Sequence, residues 1–158
     1  MLFHLTDRIL DYELGRSIRA RKVTSRSESY WREVSTAKTM PRPMVLETLC
    51  QAGAWLVMLQ TDLARRAALL SVAEVRFFGD VCPGDVLEID ATVESASDEM
   101  AVMSGQVSID SHVVMAASDV MCALIEPCEL DDPATTRRQL AALTADAGRT
   151  DATQGRHG

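Results

Sequence analysis

Glu47 and Gln51 stand four residues apart in Met44–Leu59, a segment that is otherwise apolar or small apart from Thr48. On a helix that spacing puts both side chains on one side, about one turn from the helix start. Burying an unpaired carboxylate is costly, so Glu47 must be paired, protonated or open to a cavity. Such a group can act as a general acid or base, or orient a water, with Gln51 holding it. The plainer account is that Glu47 hydrogen-bonds nearby backbone or turns to water at a subunit edge. Gln51 alone says little, because a glutamine near a helix end often faces solvent. Cys50 lies beside them, but a cysteine inside a helix is usually an apolar filler, which ranks thiolate chemistry last.

The other reactive residue types do not cluster. Cys50, Cys82, Cys122 and Cys128 contain no CxxC pair, and His4, His112 and His157 are scattered. A zinc site needs clustered ligands, so reduced thiols and no bound metal are expected.

The segment carrying Glu47 must itself be placed. Leu46, Leu49, Cys50, Ala52, Gly53, Leu56, Val57 and Met58 leave almost no polar face, which predicts a buried helix over Met44–Asp62. Met40-Pro41-Arg42-Pro43 leads into it, and proline costs little in a first helical turn. Upstream, Ser17–Val23 reads as a short basic strand after a turn at Gly15. Residues 24–39 form a polar connection whose conformation is not legible, with Tyr30 and Trp31 expected to tuck into the core. Downstream the period changes to two. Leu87, Ile89, Ala91 and Val93 alternate with polar residues, as do Ala101, Met103, Gly105, Val107 and Ile109. That pattern marks strands with one face buried. Leu69–Val81 and Val113–Ile125 read as two more strands. Pro83-Gly84-Asp85, Ser97-Asp98-Glu99 and Asp110-Ser111 supply the turns. The expected fold class is α+β, a long central helix with a curled antiparallel sheet around it. The predicted domain spans residues 1–127. The tail, 128–158, admits a short helix at Thr136–Thr144 before a disordered end.

Composition bounds the rest. The 158 residues favour one domain, and 47% apolar content excludes a wholly disordered chain. Met44–Leu59 is too short and too polar for a comfortable membrane span, and no secretory signal is read, so a cytoplasmic protein is expected. Net charge is −7, which argues against non-specific nucleic-acid binding. The charge is uneven: residues 1–66 carry eleven basic and seven acidic groups, residues 67–158 five and sixteen. A basic patch around Arg16, Arg19, Arg21, Lys22 and Arg26 is either a solvated strand edge or a dock for an acidic partner.

Three stretches in register carry a resemblance. Leu5-Thr6-Asp7-Arg8-Ile9-Leu10-Asp11-Tyr12-Glu13 is followed by Met40-Pro41 and then Leu46-Glu47-Thr48-Leu49-Cys50-Gln51-Ala52-Gly53. Val75-Arg76-Phe77 and Val81-Cys82-Pro83-Gly84-Asp85 complete the set. Over roughly residues 2–126 the order and spacing resemble the hot-dog-fold 3-hydroxyacyl-carrier-protein dehydratases of fatty-acid synthesis. The resemblance implies a dimer with sites between subunits, each pairing a histidine with a helix carboxylate from the opposite subunit to remove water from a β-hydroxyacyl thioester. It implies acyl carrier protein as partner and no cofactor beyond the substrate's 4′-phosphopantetheine arm. Glu47 matches the carboxylate, with Gln51 as its support, and Met40, Pro41 and Arg42 match the helix start that binds the thioester. Arg19 and Arg21 would dock the acidic carrier.

The departures from that pattern concern the site itself. The family's histidine would fall at Glu33, or at Val34 with a gap, and no histidine lies between His4 and His112. The glycine after Met-Pro is Arg42 here, and Pro43 removes one backbone N–H from a helix start that polarises the thioester carbonyl. Three readings follow. The chain is one subunit of a heterodimeric dehydratase, giving Glu47 as acid to a partner's histidine, a role that requires Glu47 to hold a proton. Alternatively it is a hot-dog acyl thioesterase, with Glu47 ionised because it is better solvated or close to a cation such as Arg42. Or it is a silent, carrier-binding scaffold.

Overall fold

The alternating segments become strands and the apolar segment a helix. A computed structural model describes residues 4–34, 37–127, 132–145 and 148–149. In chain order the elements are β1 (Arg8–Glu13), β2 (Ser17–Val23), β3 (Arg32–Val34), β4 (Ala37–Thr39) and α1 (Arg42–Gln60). They continue with β5 (Arg66–Phe77), β6 (Val86–Ala96), β7 (Met100–Ile109), β8 (His112–Ile125), α2 (Pro133–Leu143) and β9 (Gly148–Arg149). Among the described residues, seven strands form one sheet in the order β5-β8-β7-β6-β2-β1-β9, and β3 pairs with β4 as a separate ribbon. The fold class is the expected α+β, a hot-dog arrangement of a long helix against an antiparallel sheet.

The inner face of the sheet is the one the alternation marks. Leu87, Ile89 and Ala91 on β6, and Met103 and Val107 on β7, are buried in one core with residues of α1, and Ala101 on β7 is buried too. Ile9, Ile18 and Ala20 extend that face across β1 and β2. Helix and sheet approach closely at two small residues. A Cβ on Gly53 would lie 2.7 Å from Met103 Cε, and one on Gly105 would lie 2.6 Å from Leu49 Cδ1.

Several expectations are corrected. The helix begins at Arg42 rather than Met44, because Pro43 fits the first turn. It ends at Gln60 rather than Asp62, because Asp62 and Leu63 take left-handed backbone, with φ of 48° and 66°. The Leu63 N–H then closes on Met58 O at 2.8 Å, which ties up a terminal carbonyl. The simple meander holds for β6, β7 and β8 only; β5 crosses to pair with β8 at the sheet edge. Asp110 and Ser111, both at positive φ, make the expected tight hairpin. Tyr30 and Trp31 are half-buried at the rim rather than in the core, their polar ends satisfied by Glu28 and Ser25 O.

Residues 25–30 fold around a charge that the patch reading misplaced. Alternation along β2 turns Lys22 inward with Ile18 and Ala20, and it is 4% exposed. Its Nζ lies 2.6 Å from Glu28 Oε1 and 3.5 Å from Asp7 Oδ2. Glu28 also accepts from Ser25 N–H and from the Tyr30 hydroxyl. In the tail, α2 runs Pro133–Leu143, capped by Asp132, and β9 pairs in parallel with Asp11 and Tyr12 of β1. Cys128 and His157 lie outside the described residues.

Candidate functional site

Glu47 sits on a stripe of α1 that this chain leaves half open. Leu46, Glu47, Cys50, Gln51 and Ala54 are half-buried, whereas Val45, Thr48, Leu49, Ala52 and Gly53 are fully packed. The expectation of a helix buried all round therefore fails on one side, and the carboxylate lies on that side.

Two hydrogen bonds fix its environment. The Leu5 N–H donates to Gln51 Oε1 at 2.8 Å, and Gln51 Nε2 donates to Glu47 Oε1 at 3.1 Å. A backbone N–H can only donate, so it selects the amide oxygen and turns the NH₂ group toward the carboxyl. Oε1 of Glu47 is thereby engaged. Oε2 has no hydrogen-bond partner among the described residues.

The helix start offers less than its residue count suggests. Met40 is 3% exposed, and its N–H is spent on Val81 O at 2.8 Å. Pro41 and Pro43 carry no N–H. Met44 N–H turns back to Pro41 O at 2.8 Å. Arg42 N–H is the remaining donor of the first turn. The Arg42 guanidinium lies over the Phe77 ring, 5.3 Å from its centroid, and joins the helix start to the end of β5. No ion pair links Arg42 to Glu47 among the described residues.

Cys50 is poorly suited to nucleophilic work. Burial pushes its thiol up to about 12, and the neighbouring Glu47 and Cys122 add to the effect. His4 is exposed beside Gln139, and His112 is exposed with Nδ1 2.9 Å from Asp110 O. Glu33, where the histidine would fall, lies exposed on β3, with Lys38 Nζ 3.6 Å from its carboxylate.

Arg19 and Arg21 project from the outer face of β2, each opposite a carboxylate of β6. Arg19 Nε lies 3.2 Å from Asp90 and Arg21 Nη2 3.8 Å from Glu88, following the strand register. Their charge is locally balanced, which the linear charge tally could not reveal. A cavity of about 260 Å³ bounded by Val57, Thr61, Arg65, Val93 and Leu124 sits at the far end of α1. At 1.5 Å per residue it lies about 15 Å along the helix from Glu47 and does not include it.

Residues 1–118 match the model of the FabA-like domain. A 3-hydroxyacyl-[acyl-carrier-protein] dehydratase FabZ of Solibacter usitatus is 31% identical over 126 residues, covering 78% of this chain and 77% of that protein. The FabZ of Xanthomonas campestris pv. campestris is 32% identical over 128 residues, covering 77% and 82%. Among solved structures, the dehydratase heterocomplex ApeI:P of Xenorhabdus doucetiae superposes with a TM-score of 0.62 at 16% identity, over 87% of this chain and 88% of that one. A thioesterase from Streptococcus pneumoniae with coenzyme A superposes with a TM-score of 0.54 at 16% identity, over 72% and 83%. These two structural likenesses speak to the fold. A family match over three-quarters of the chain and relatives above 30% identity place this protein in the FabA-like family of hot-dog 3-hydroxyacyl-carrier-protein dehydratases.

Proposed function

We propose that this chain is a dehydratase subunit acting on 3-hydroxyacyl thioesters of acyl carrier protein, and that it supplies Glu47 to a site completed by a histidine from a partner chain. The observation that carries the reading is the oriented carboxyl. Gln51, itself held by the Leu5 N–H, holds Oε1, and Glu47 stands on the half-open stripe of α1. The partner's histidine takes the α-proton, and Glu47 delivers its proton to the departing hydroxyl. Water leaves, and passage of the proton from imidazolium to carboxylate restores both groups. Arg42 N–H polarises the thioester carbonyl from the positive end of α1.

Two surfaces support a dimer. β5 is a twelve-residue edge strand paired on one side with β8, with Leu69 and Leu70 about half exposed. Such an edge calls for a second chain. The half-open stripe of α1 is the other surface. The heterocomplex ApeI:P gives a precedent for a dehydratase assembled from unlike chains.

The thioesterase reading requires an ionised Glu47, either better solvated or close to a cation; the candidate cation, Arg42, is engaged with Phe77. The test is direct. The purified chain alone should barely dehydrate a 3-hydroxyacyl thioester, mixing with a histidine-bearing homologue should restore turnover, and Glu47→Gln should abolish that rescue while the dimer stays folded. Robust dehydration by the chain alone would overturn the composite site. Rapid, Glu47-dependent release of free thiol would put the thioesterase first.

A further inference from the structure

The first turn of α1 is short of backbone donors and carries a cation that no carboxylate of the described residues neutralises. Pro41 and Pro43 have no N–H, and the Met44 and Val45 N–H groups both turn back to Pro41 O, at 2.8 and 3.3 Å. Arg42, the first residue of the helix, is exposed. Among the described residues its guanidinium makes no ion pair and no hydrogen bond, and it lies over the Phe77 ring, 5.3 Å from the centroid. The ring attracts the cation through its π face and is no strong acceptor, so the guanidinium N–H donors stay uncommitted. The helix macrodipole disfavours a cation at this end, and the first turn holds no acidic residue to offset it.

We infer that the Arg42 guanidinium is a catalytic residue: it donates to the thioester carbonyl oxygen as negative charge develops there, work that the proline-poor supply of N–H groups at this helix start leaves undone. The inference rests on the dehydration proposed at Glu47. When the α-proton leaves for the partner's histidine, the electron pair of that C–H bond moves onto the carbonyl oxygen. As the hydroxyl departs with the proton of Glu47, the pair returns to form the carbon–carbon double bond, and the carbonyl is restored. The guanidinium is unchanged at the end. Its hydrogen bond is strongest while the oxygen is charged, so it lowers the barrier more than it tightens binding. Arginine keeps its charge at any working pH, and its planar fork suits an oxygen acceptor. Phe77, packed against the core at the end of β5, restrains the long side chain before the substrate arrives.

The experiment follows butyryl-pantetheine labelled with carbon-13 at the thioester carbonyl, a probe that can neither lose nor add water, bound to the chain mixed with a histidine-bearing homologue. Arg42→Met keeps the side-chain stem and the backbone N–H, Arg42→Lys keeps the charge without the fork, and Phe77→Leu removes the ring. The labelled carbonyl should move downfield on binding to the native assembly. That movement should be largely lost in Arg42→Met and partly kept in Arg42→Lys and Phe77→Leu. With a 3-hydroxyacyl thioester, kcat should fall about a hundredfold in Arg42→Met, the loss typical of one oxyanion donor, with far less change in KM. A carbonyl that does not move on binding, or moves equally in native chain and Arg42→Met, would overturn the inference and leave Arg42 a surface cation. A movement that depends on Arg42 in an assembly without turnover would keep the guanidinium on the carbonyl and remove the composite-site reading.

Discussion

Gln51 Nε2 donates to Glu47 Oε1 across 3.1 Å, one helical turn from it, while its own oxygen is held from a segment 46 residues away. The pair is thus both local and anchored by tertiary structure. Gln51→Leu should leave α1 intact but release Glu47 and strand the Leu5 N–H, at a cost of about 1–2 kcal/mol in stability. In a mixed assembly, kcat should fall roughly ten- to a hundredfold with a smaller change in KM, as expected when a transition-state group is mispositioned. Steady-state kinetics alongside thermal melts would separate the two effects. Unchanged kcat would remove Gln51 from the site.

Carrier docking can be tested through the partners of the arginines. Arg19→Glu with Arg21→Glu should weaken binding of an acidic carrier protein and reduce its salt sensitivity. Asp90→Asn with Glu88→Gln frees the same arginines and should tighten binding. Titration calorimetry at two salt concentrations measures both, and indifference to either pair of changes would make β2 an ordinary charged strand.

The buried Lys22 makes an acid-sensitive clasp. Burial alone would raise the Glu28 carboxyl, but hydrogen bonds from Lys22, the Ser25 N–H and Tyr30 bring it below its ordinary range. A carboxyl whose folded value is depressed adds stability above its unfolded value, and that stability is lost as pH falls through the folded value. Melting temperature should therefore drop on acidification below the ordinary carboxylate range, and Glu28→Gln should flatten that decline. Lys22→Met should destabilise the fold by about 2–4 kcal/mol at neutral pH, because it breaks a largely buried pair.

Cys50 and Cys82 should separate under alkylation. Cys82 is exposed, whereas the Cys50 thiol is half-buried and pushed up to about 12. At pH 8 roughly one Cys50 in ten thousand is thiolate. Peptide mapping after brief iodoacetamide treatment should find Cys82 modified well before Cys50, and Cys50→Ala should retain full activity in the mixed assembly. Fast labelling of Cys50 would reopen its candidacy.

The close approach at Gly105 gives a stability test of the packing. A Cβ there would meet Asp90 O at 2.3 Å as well as Leu49 Cδ1. Asp90 O is backbone, so the strand itself must shift. Gly105→Ala should cost about 1–3 kcal/mol in denaturant melts, as overpacked sites do.

What the chain announces by itself is what local geometry enforces. The alternation through Leu87–Val93 and Ala101–Ile109 dictates which side chains share a face, whatever the neighbouring strand. The apolar run after Pro43 makes a helix, and a spacing of four brings Glu47 and Gln51 together on any helix. The same alternation places Ile18, Ala20 and Lys22 on one face, so the inward turn of Lys22 was there to be read beneath the tally of basic residues. Other features exist only once distant segments meet. β5 pairs with β8 rather than β6, Arg19 and Arg21 find Asp90 and Glu88, and Leu5 reaches Gln51 because strand pairing and helix docking join residues tens of positions apart. No local spacing encodes such partners. The sequence determined that a carboxyl would stand on an apolar helix; tertiary structure decided which of its oxygens is held and by what.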